Sequence, residues 1–358
     1  MGNQNHTSGK TGTLRFIAPS DLKEFAQRVF VKAGVNETHA EVVADHLVMA
    51  NLRGVDSHGV ARIPFYVEGI RAGEVKTSPR IEVVSDKGAT AIIDGDFALG
   101  QVVGKQATEL AIKKASEFGI GTVGVRRTSH VGMLAYYGMM IAGGKMMGLV
   151  ATNSPAFMAA WGGMKPVLGT NPLCVTFPGK SGASIVLDMA TSETAAFKIN
   201  SAASKGERIP LGWALDDEGR PTTDPKAALE GALLPFGGYK GYGLAVIVEL
   251  LSSVLLGADW SSKIKVVFHT EGGLYVQALD VSHFRPFDEY LRDLEVVQKN
   301  IKSSGRSDTK EEILLPGEKE ALNFTDRSSR GIPIDEKLAR DLASLSRKFG
   351  VPLTLQDA

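Results

Sequence analysis

Gly119-Ile120-Gly121-Thr122-Val123-Gly124 matches the glycine spacing G-x-G-x-x-G of a Rossmann fingerprint. That fingerprint needs a strand before it and a helix after it, because the helix N-terminus receives the pyrophosphate. The surrounding sequence has the reverse order: a helical pattern fills Gly100 to Phe118, and a strand centres on Thr122–Val125. No acidic residue stands about 20 positions further on, where the ribose partner belongs. Gly119 therefore reads as a helix stop, and the expected class is mixed α/β (α+β), not a doubly wound sheet.

The same stretch is free of acid. From Phe118 to Leu187, 70 residues hold no Asp or Glu, but they do hold Arg126, Arg127, Lys145, Lys165 and Lys180. A buried glycine-rich layer would exclude charge in this way. A site for an anion, such as a dinucleotide or a carboxylate, would do the same. The whole chain of 358 residues balances 40 basic against 40 acidic side chains. It lacks the basic excess of a nucleic-acid binder. Its hydrophobic fraction of 43% is that of a globular protein, and its length suits two domains or one large one. The single cysteine, Cys174, excludes an intramolecular disulfide or a multi-cysteine metal site and suits a reduced compartment. Residues 1–14 read as a disordered tail, with no apolar signal core. Lys145 interrupts one apolar stretch, and Glu249, Ser252 and Ser253 interrupt the other. Neither reaches the ~20 clean apolar residues of a spanning helix, so a cytoplasmic protein without membrane or nucleic-acid partners is expected.

Outward from Gly119, two helices fill 20–53, with Ser20 and Asn36 as N-caps and Gly34 and Gly54 as stops. A third helical segment is expected from Ser57 to Ala72. Two strands in 80–94 join at Lys87-Gly88. A helix follows over 131–147, then strands over 148–152, 173–177 and 184–188. A buried helix fits 240–256, and strands fit 264–268 and 275–280. The C-terminal part is mainly helical, with a loop at Gly305-Arg306-Ser307-Asp308.

Arg53-Gly54-Val55-Asp56-Ser57-His58-Gly59-Val60-Ala61-Arg62 is the densest polar cluster. On a helix beginning near Ser57, His58 and Arg62 share a face. An imidazole beside a guanidinium suits proton transfer on a substrate whose carboxylate the arginine grips. The plainer alternative is a helix cap by Asp56 or Ser57, with both side chains exposed. Ser129-His130 repeats the theme before another helix, as a capping serine or as an acid/base. Gly169-Thr170-Asn171-Pro172 is a turn that closes a loop or faces an anion. Asp188 ends an apolar strand and either orients a catalytic histidine or caps a helix. Gly237-Gly238-Tyr239-Lys240 opens an apolar helix, as a phosphate-binding start or a flexible lead-in. Leu315-Pro316-Gly317-Glu318 is a turn.

An ordered series joins these motifs: ADHLVMANLRGVDSHGVARIPFYVEGI, IDGDFALGQVVG, TSHVGMLAYYGMMIA, GTNPL, LDMATS, GWALDDEGRPTTDP, GALLPFGGYKGYGLAVIVELL, LLPGE and RGIPID. From about Leu22 to Val351 the chain resembles the non-Rossmann malate/L-lactate dehydrogenase family. That family includes sulfolactate, ureidoglycolate and diketogulonate enzymes and cyclic imino-acid reductases. The resemblance implies a homodimer that moves a hydride between NAD or NADP, with NAD favoured, and a small 2-hydroxy or 2-oxo acid. The alternatives within the family are a cyclic 2-imino acid or a ureidoglycolate- or diketogulonate-type substrate.

The resemblance also implies a largely antiparallel cofactor domain over 126–254 and a substrate domain over 76–125 with 255–284. A helical domain would take 15–75 with 285–358. His58 would move the proton with Ser57 beside it, Asp188 would be its electrostatic partner, and Arg62 would hold the substrate carboxylate, helped by Thr170 and Asn171. His130 competes for the proton-transfer role. The cofactor would touch Ser154, Val186, Leu187, Asp188, Met189, Ala190, Thr191, Ser192, Tyr239, Lys240, Gly317 and Glu318, and no metal is implied. Glu193-Thr194-Ala195-Ala196-Phe197 and His269-Thr270-Glu271-Gly272-Gly273 depart from the family pattern, and the first departure leaves the choice between NAD and NADP, and the substrate, open. Two other classes compete. One is a metal-dependent hydrolase using Asp56, His58, His130 and Asp188, which lacks the short ligand spacings of such sites. The other is a dinucleotide-binding protein without catalysis.

Overall fold

The computed structural model describes residues 15–265, 268, 271–305 and 312–357. The expected tail over 1–14, His269-Thr270 and most of the loop after Gly305 lie outside the described residues. Two compact units emerge, Phe65–Lys319 and Met1–Pro64 with Glu320–Ala358.

The larger unit is built on a seven-stranded sheet. Its spatial order is Glu82–Lys87, Thr90–Ala98, Ile120–Thr128, Gly272–Asp280, Met146–Thr152, Leu173–Gly179, Gly182–Met189. Thr90–Ala98 runs parallel to Ile120–Thr128, and every other neighbouring pair in this sheet is antiparallel. The expected largely antiparallel mixed fold is therefore present. The parallel pair needs a crossover, which the Gly100–Phe118 helix supplies, with Val103, Ala107 and Ala111 fully buried. Gly119 ends this helix in the left-handed region, φ 81°, where a glycine carries no Cβ penalty. The strand Ile120–Thr128 starts immediately afterwards, so the glycine motif is a helix–strand junction and not a phosphate loop.

A second sheet of five short strands includes Met158–Ala159, Ala214–Leu215 and Ala232–Leu233. It encloses a small core of Met158, Ile199, Ala214, Leu233 and Ala245. Ala245 belongs to the Tyr239–Ser252 helix. With the short turn that follows, this is the one helix among the described residues long and apolar enough to cross a membrane by length and composition. Ala245 and Val248 face the core, whereas Leu244, Ile247 and Leu250 are exposed.

In the smaller unit, Arg15–Ile17 lies between Ile332–Ile334 and Gln356–Asp357, antiparallel to both. The helices Pro19–Lys32, Glu37–Leu52 and Glu336–Phe349 bury Leu22, Phe25, Phe30, Leu47 and Leu342.

Several local expectations need correction. Pro19 takes the first helical position, where its missing N–H costs nothing, so Ala18 rather than Ser20 is the N-cap. Asn36 does cap, accepting from the His39 N–H at 2.9 Å. No continuous helix runs from Ser57: two 3-10 turns, Asp56–His58 and Val60–Arg62, precede the Ile63–Arg71 helix, with Gly59 extended between them. The helix expected over 131–147 is confined to Leu134–Gly143, because Gly132 has φ 78° and glycines end it. Ile264, Lys265 and Phe268 form no strand.

Candidate active site

In the smaller unit the 53–62 segment is fixed by Asn51, which is 1% exposed. Its Oδ1 accepts from the Val60 N–H at 2.8 Å, and its Nδ2 donates to Asp56 Oδ1 at 2.6 Å. Arg327 then grips Asp56 with two bonds, at 2.7 and 3.1 Å, and donates to the Asn51 carbonyl at 2.5 Å. Asp56 is thus an ion-pair anchor, not a helix cap. Between these anchors, the Ser57 hydroxyl lies 3.0 Å from His58 Nδ1. Arg62 Nε donates to the Ser57 carbonyl at 2.8 Å. His58 and Arg62 sit on successive 3-10 turns rather than on one α-helical face, and both are half-buried.

The larger unit carries His130 just before the Leu134–Gly143 helix. Ser129 does not cap that helix: its hydroxyl accepts from the Gly100 N–H and donates to the Ala98 carbonyl, each at 3.0 Å. A Cβ on Gly100 would stand 2.5 Å from the carbonyl oxygens of both Ser129 and His130. His130 Nδ1 lies 2.7 Å from the Tyr66 hydroxyl, and Gln101 Nε2 donates to that hydroxyl at 2.6 Å. Neither Tyr66 nor Gln101 was nominated from sequence. Asp188, at the end of the Gly182–Met189 strand, accepts from the Ala135 N–H at 2.7 Å. It therefore caps the helix that follows His130, not the next helix along its own chain, Ala196–Lys205, whose N-cap is Ala195.

The nominated loops of this unit are joined. Ser154 Oγ accepts from the Thr170 N–H at 3.0 Å. Thr191 donates from N and Oγ1 to the Thr170 carbonyl, at 2.9 and 3.0 Å. The Phe236 N–H, three residues before Tyr239, donates to the Thr191 carbonyl. Ser192 bridges to Pro235. On the far part of the strand, the Val186 N–H donates to the Pro316 carbonyl, and Gly317 lies so close to Val186 that a Cβ would approach to 2.7 Å.

Asn171 is fully buried and donates to Glu249 Oε2 at 2.6 Å and to the Ala245 carbonyl at 3.1 Å. Its amide hydrogens are spent on the scaffold. Glu249 also accepts from Ser261 N and Oγ, both at 2.5 Å. Glu318 accepts from the Leu315 N–H and from Lys302. The Lys302 bond, foremost, holds its carboxyl below the usual range.

The basic excess of the acid-free stretch is partly neutralised. Arg126 and Arg127 pair with Asp94 at 3.4 and 3.2 Å, Arg127 also reaches Asp96 at 3.0 Å, and Lys145 lies over the Phe287 ring. Among the described residues, no group of three or more His, Cys, Asp or Glu gathers as a metal site.

The family model for malate/L-lactate dehydrogenase matches residues 17–343. The chain belongs to this family. As a member, the dehydrogenase is an oxidoreductase acting on a CH–OH carbon, which implies a nicotinamide cofactor. It is 39% identical to the malate/(S)-sulfolactate dehydrogenase of Methanothermus fervidus over 94% of this chain and 99% of that one. It is 41% identical to the malate dehydrogenase of Pyrococcus horikoshii, covering 93% and 95%. The solved sulfolactate dehydrogenase of Methanocaldococcus jannaschii superposes with a TM-score of 0.87 at 40% identity, covering 94% and 97%.

The residues present fit such a cofactor. The Tyr239–Ser252 helix of the dehydrogenase starts without a side-chain cap and with no acid in its first turn. Exposed Lys240 stands at that end, and Gly237 and Gly238 with positive φ lead into it. The Gly241 N–H is spent on the Phe236 carbonyl at 3.0 Å, but an uncapped helix start beside a lysine still suits a diphosphate.

Proposed function

We propose that the chain transfers a hydride between NAD(P) and the carbinol carbon of a small 2-hydroxy acid of the malate/lactate type, with NAD preferred over NADP. One observation carries this reading: the His58 imidazole and the Arg62 guanidinium both bond to Ser57, at 3.0 and 2.8 Å. That couples a proton carrier to a carboxylate clamp across one residue. Bound nicotinamide supplies the hydride acceptor or donor. Arg62 orients the substrate carboxylate, which aligns the reacting carbon. His58 moves the hydroxyl proton over hydrogen-bond distance, with Asp188 as its electrostatic partner. His130 is the rival for that proton. Thr170 and the Asn171 backbone complete the substrate loop. Ser154, the Val186–Ser192 run, Tyr239, Lys240 and the Gly317-Glu318 turn would hold the cofactor. The exposed Leu244, Ile247 and Leu250 support a homodimer, and the reduced Cys174 suits a cytoplasmic setting.

The test is oxidation of NADH and NADPH, followed by absorbance, on a panel of 2-oxo acids with Δ1-piperideine- and Δ1-pyrroline-2-carboxylate. Turnover of a linear 2-oxo acid is expected, whereas turnover of a cyclic imine alone would move the reading to the imino-acid reductases. His58→Ala is expected to lower kcat about 10²- to 10⁴-fold with NAD(P)H binding intact. A His58→Ala enzyme of near-normal kcat, beside an inactive His130→Ala enzyme, would transfer the proton role to His130.

A further inference from the structure

Glu193 is exposed between two buried neighbours, Ser192 at 5% and Thr194 at 4% exposure. Its backbone is fixed on both sides. The Glu193 N–H donates to the Leu234 carbonyl at 2.8 Å, Ser192 bridges to Pro235, and Ser192 Oγ donates to the Thr194 carbonyl at 2.8 Å. The chain is thus pinned and the carboxylate is turned outward. Among the described residues this carboxylate has no ion-pair or hydrogen-bond partner.

The surroundings of Glu193 favour anions. Two helices, Ala196–Lys205 and Tyr239–Ser252, begin just beyond the two strands of this bridge. Neither N-terminus has a side-chain cap or an acid in its first turn. Each carries an exposed lysine there, Lys198 and Lys240. From Met189 to Gly206 and from Gly231 to Val248, Glu193 is the sole acid. Helix starts with lysines attract any phosphate of a dinucleotide. They do not tell NADH from NADPH, which differ by one phosphate on the adenosine ribose. A carboxylate does: it accepts from ribose hydroxyls and repels a phosphate in their place. Most exposed glutamates are solvated surface, but this one is the only negative charge on a platform otherwise built for anions. We infer that Glu193 sets the preference for NAD, by accepting from the adenosine ribose hydroxyls and excluding a 2′-phosphate. The inference rests on the reading that the Val186–Ser192 run and the Lys240 helix hold the cofactor.

The experiment is titration of the full chain with NADH and with NADPH, followed by nicotinamide fluorescence, which reads binding without turnover. The wild type is expected to bind NADPH on the order of 10-fold more weakly than NADH, the scale set by a unit charge a few ångströms from a phosphate in a watery dielectric. Glu193→Gln keeps the shape and removes the charge. NADPH should then tighten on the order of 10-fold, with little change in NADH. Glu193→Lys should reverse the preference. Raising salt from about 0.05 M to about 0.5 M should narrow the wild-type gap between the two cofactors and leave that of Glu193→Gln nearly unmoved, because the charge is exposed to screening. The Tm of each variant should match the wild type, since an exposed side chain without partners is replaced. Should Glu193→Gln fail to fold, Glu193→Ser removes the same charge. An unchanged ratio of NADPH to NADH affinity in the charge-removing variants, or a wild type that binds NADPH as tightly as NADH, overturns the inference. A wild type that binds neither dinucleotide overturns the cofactor reading as well, so the same titration tells the two failures apart.

Discussion

Replacing Glu249 by glutamine changes one atom and should unfasten the loop that carries Thr170. The carboxylate accepts three bonds: Oε1 from the Ser261 N–H at 2.5 Å, and Oε2 from Ser261 Oγ at 2.5 Å and Asn171 Nδ2 at 2.6 Å. A glutamine must place its NH₂ at one of the two oxygen sites. At the Oε1 site it confronts the Ser261 N–H, donor against donor. At the Oε2 site it confronts Asn171 Nδ2, donor against donor again. Turning the Ser261 hydroxyl relieves little, because that oxygen already accepts from the Gly169 N–H at 2.9 Å. Either orientation strands one buried donor, at about 1–3 kcal/mol, and weakens the remaining charge-assisted bonds to neutral ones, at about 1 kcal/mol more. The expected loss is about 2–4 kcal/mol in urea denaturation followed by tryptophan fluorescence, with Trp260 beside Ser261 as a local reporter. Because Asn171 Oδ1 also accepts from the Ser154 N–H at 3.3 Å, NAD(P)H affinity should fall in parallel. A loss below about 0.5 kcal/mol, the range of surface substitutions, with normal NAD(P)H binding would refute the geometry from which these costs are drawn.

Arg327→Met removes the two-bond grip on Asp56 from the segment bearing His58. Asp56 is 46% exposed and rehydrates, so the stability loss should stay near 1 kcal/mol. A drop in kcat is nonetheless expected, without change in the NAD(P)H dissociation constant, and Arg327→Lys should recover part of it. Asp96 is held below the usual carboxylate range, first by its bond from Lys76 and then by the Arg80 N–H. A depressed folded-state pKa contributes stability above the unfolded value and loses it as pH falls through the folded one. Asp96→Asn should therefore lower Tm at pH 7, begin to converge with wild type only as pH falls below about 4, and meet it below the depressed folded-state pKa. A gap in Tm that persists in acid would show that the ion pairing is not the cause.

The fold was legible where local chemistry is strong. Gly119 has no reading as a phosphate loop once a helix precedes it, and the Gly100–Phe118 helix and the Lys87-Gly88 turn follow directly from pattern. The step at Gly59 was not legible, because it depends on Asn51 reaching across to the Val60 N–H. His130 and Asp188 stood out as polar groups beside apolar elements. Tyr66 did not, since an aromatic inside Ile-Pro-Phe-Tyr-Val reads as core. Glu249 read only as an interruption of an apolar run. Their partners lie 64 and 78 positions away, and pairing over such separations leaves no trace in local spacing.

The strand Arg15–Ile17 has a consequence for how the chain is made. Its neighbours are Ile332–Ile334 and Gln356–Asp357, so it waits unpaired while the ribosome delivers almost everything else. At about 5–20 residues per second, that wait is on the order of 15–60 s. All seven strands of the large sheet have been synthesised by Asp280. Throughout, the helices Pro19–Lys32 and Glu37–Leu52 carry Phe25, Phe30 and Leu47 without the Leu342 helix in hand. Nascent-chain aggregation and chaperone dependence should therefore concentrate at the N-terminus, and a circular permutant that brings residues 320–357 ahead of residue 15 should shorten that exposure.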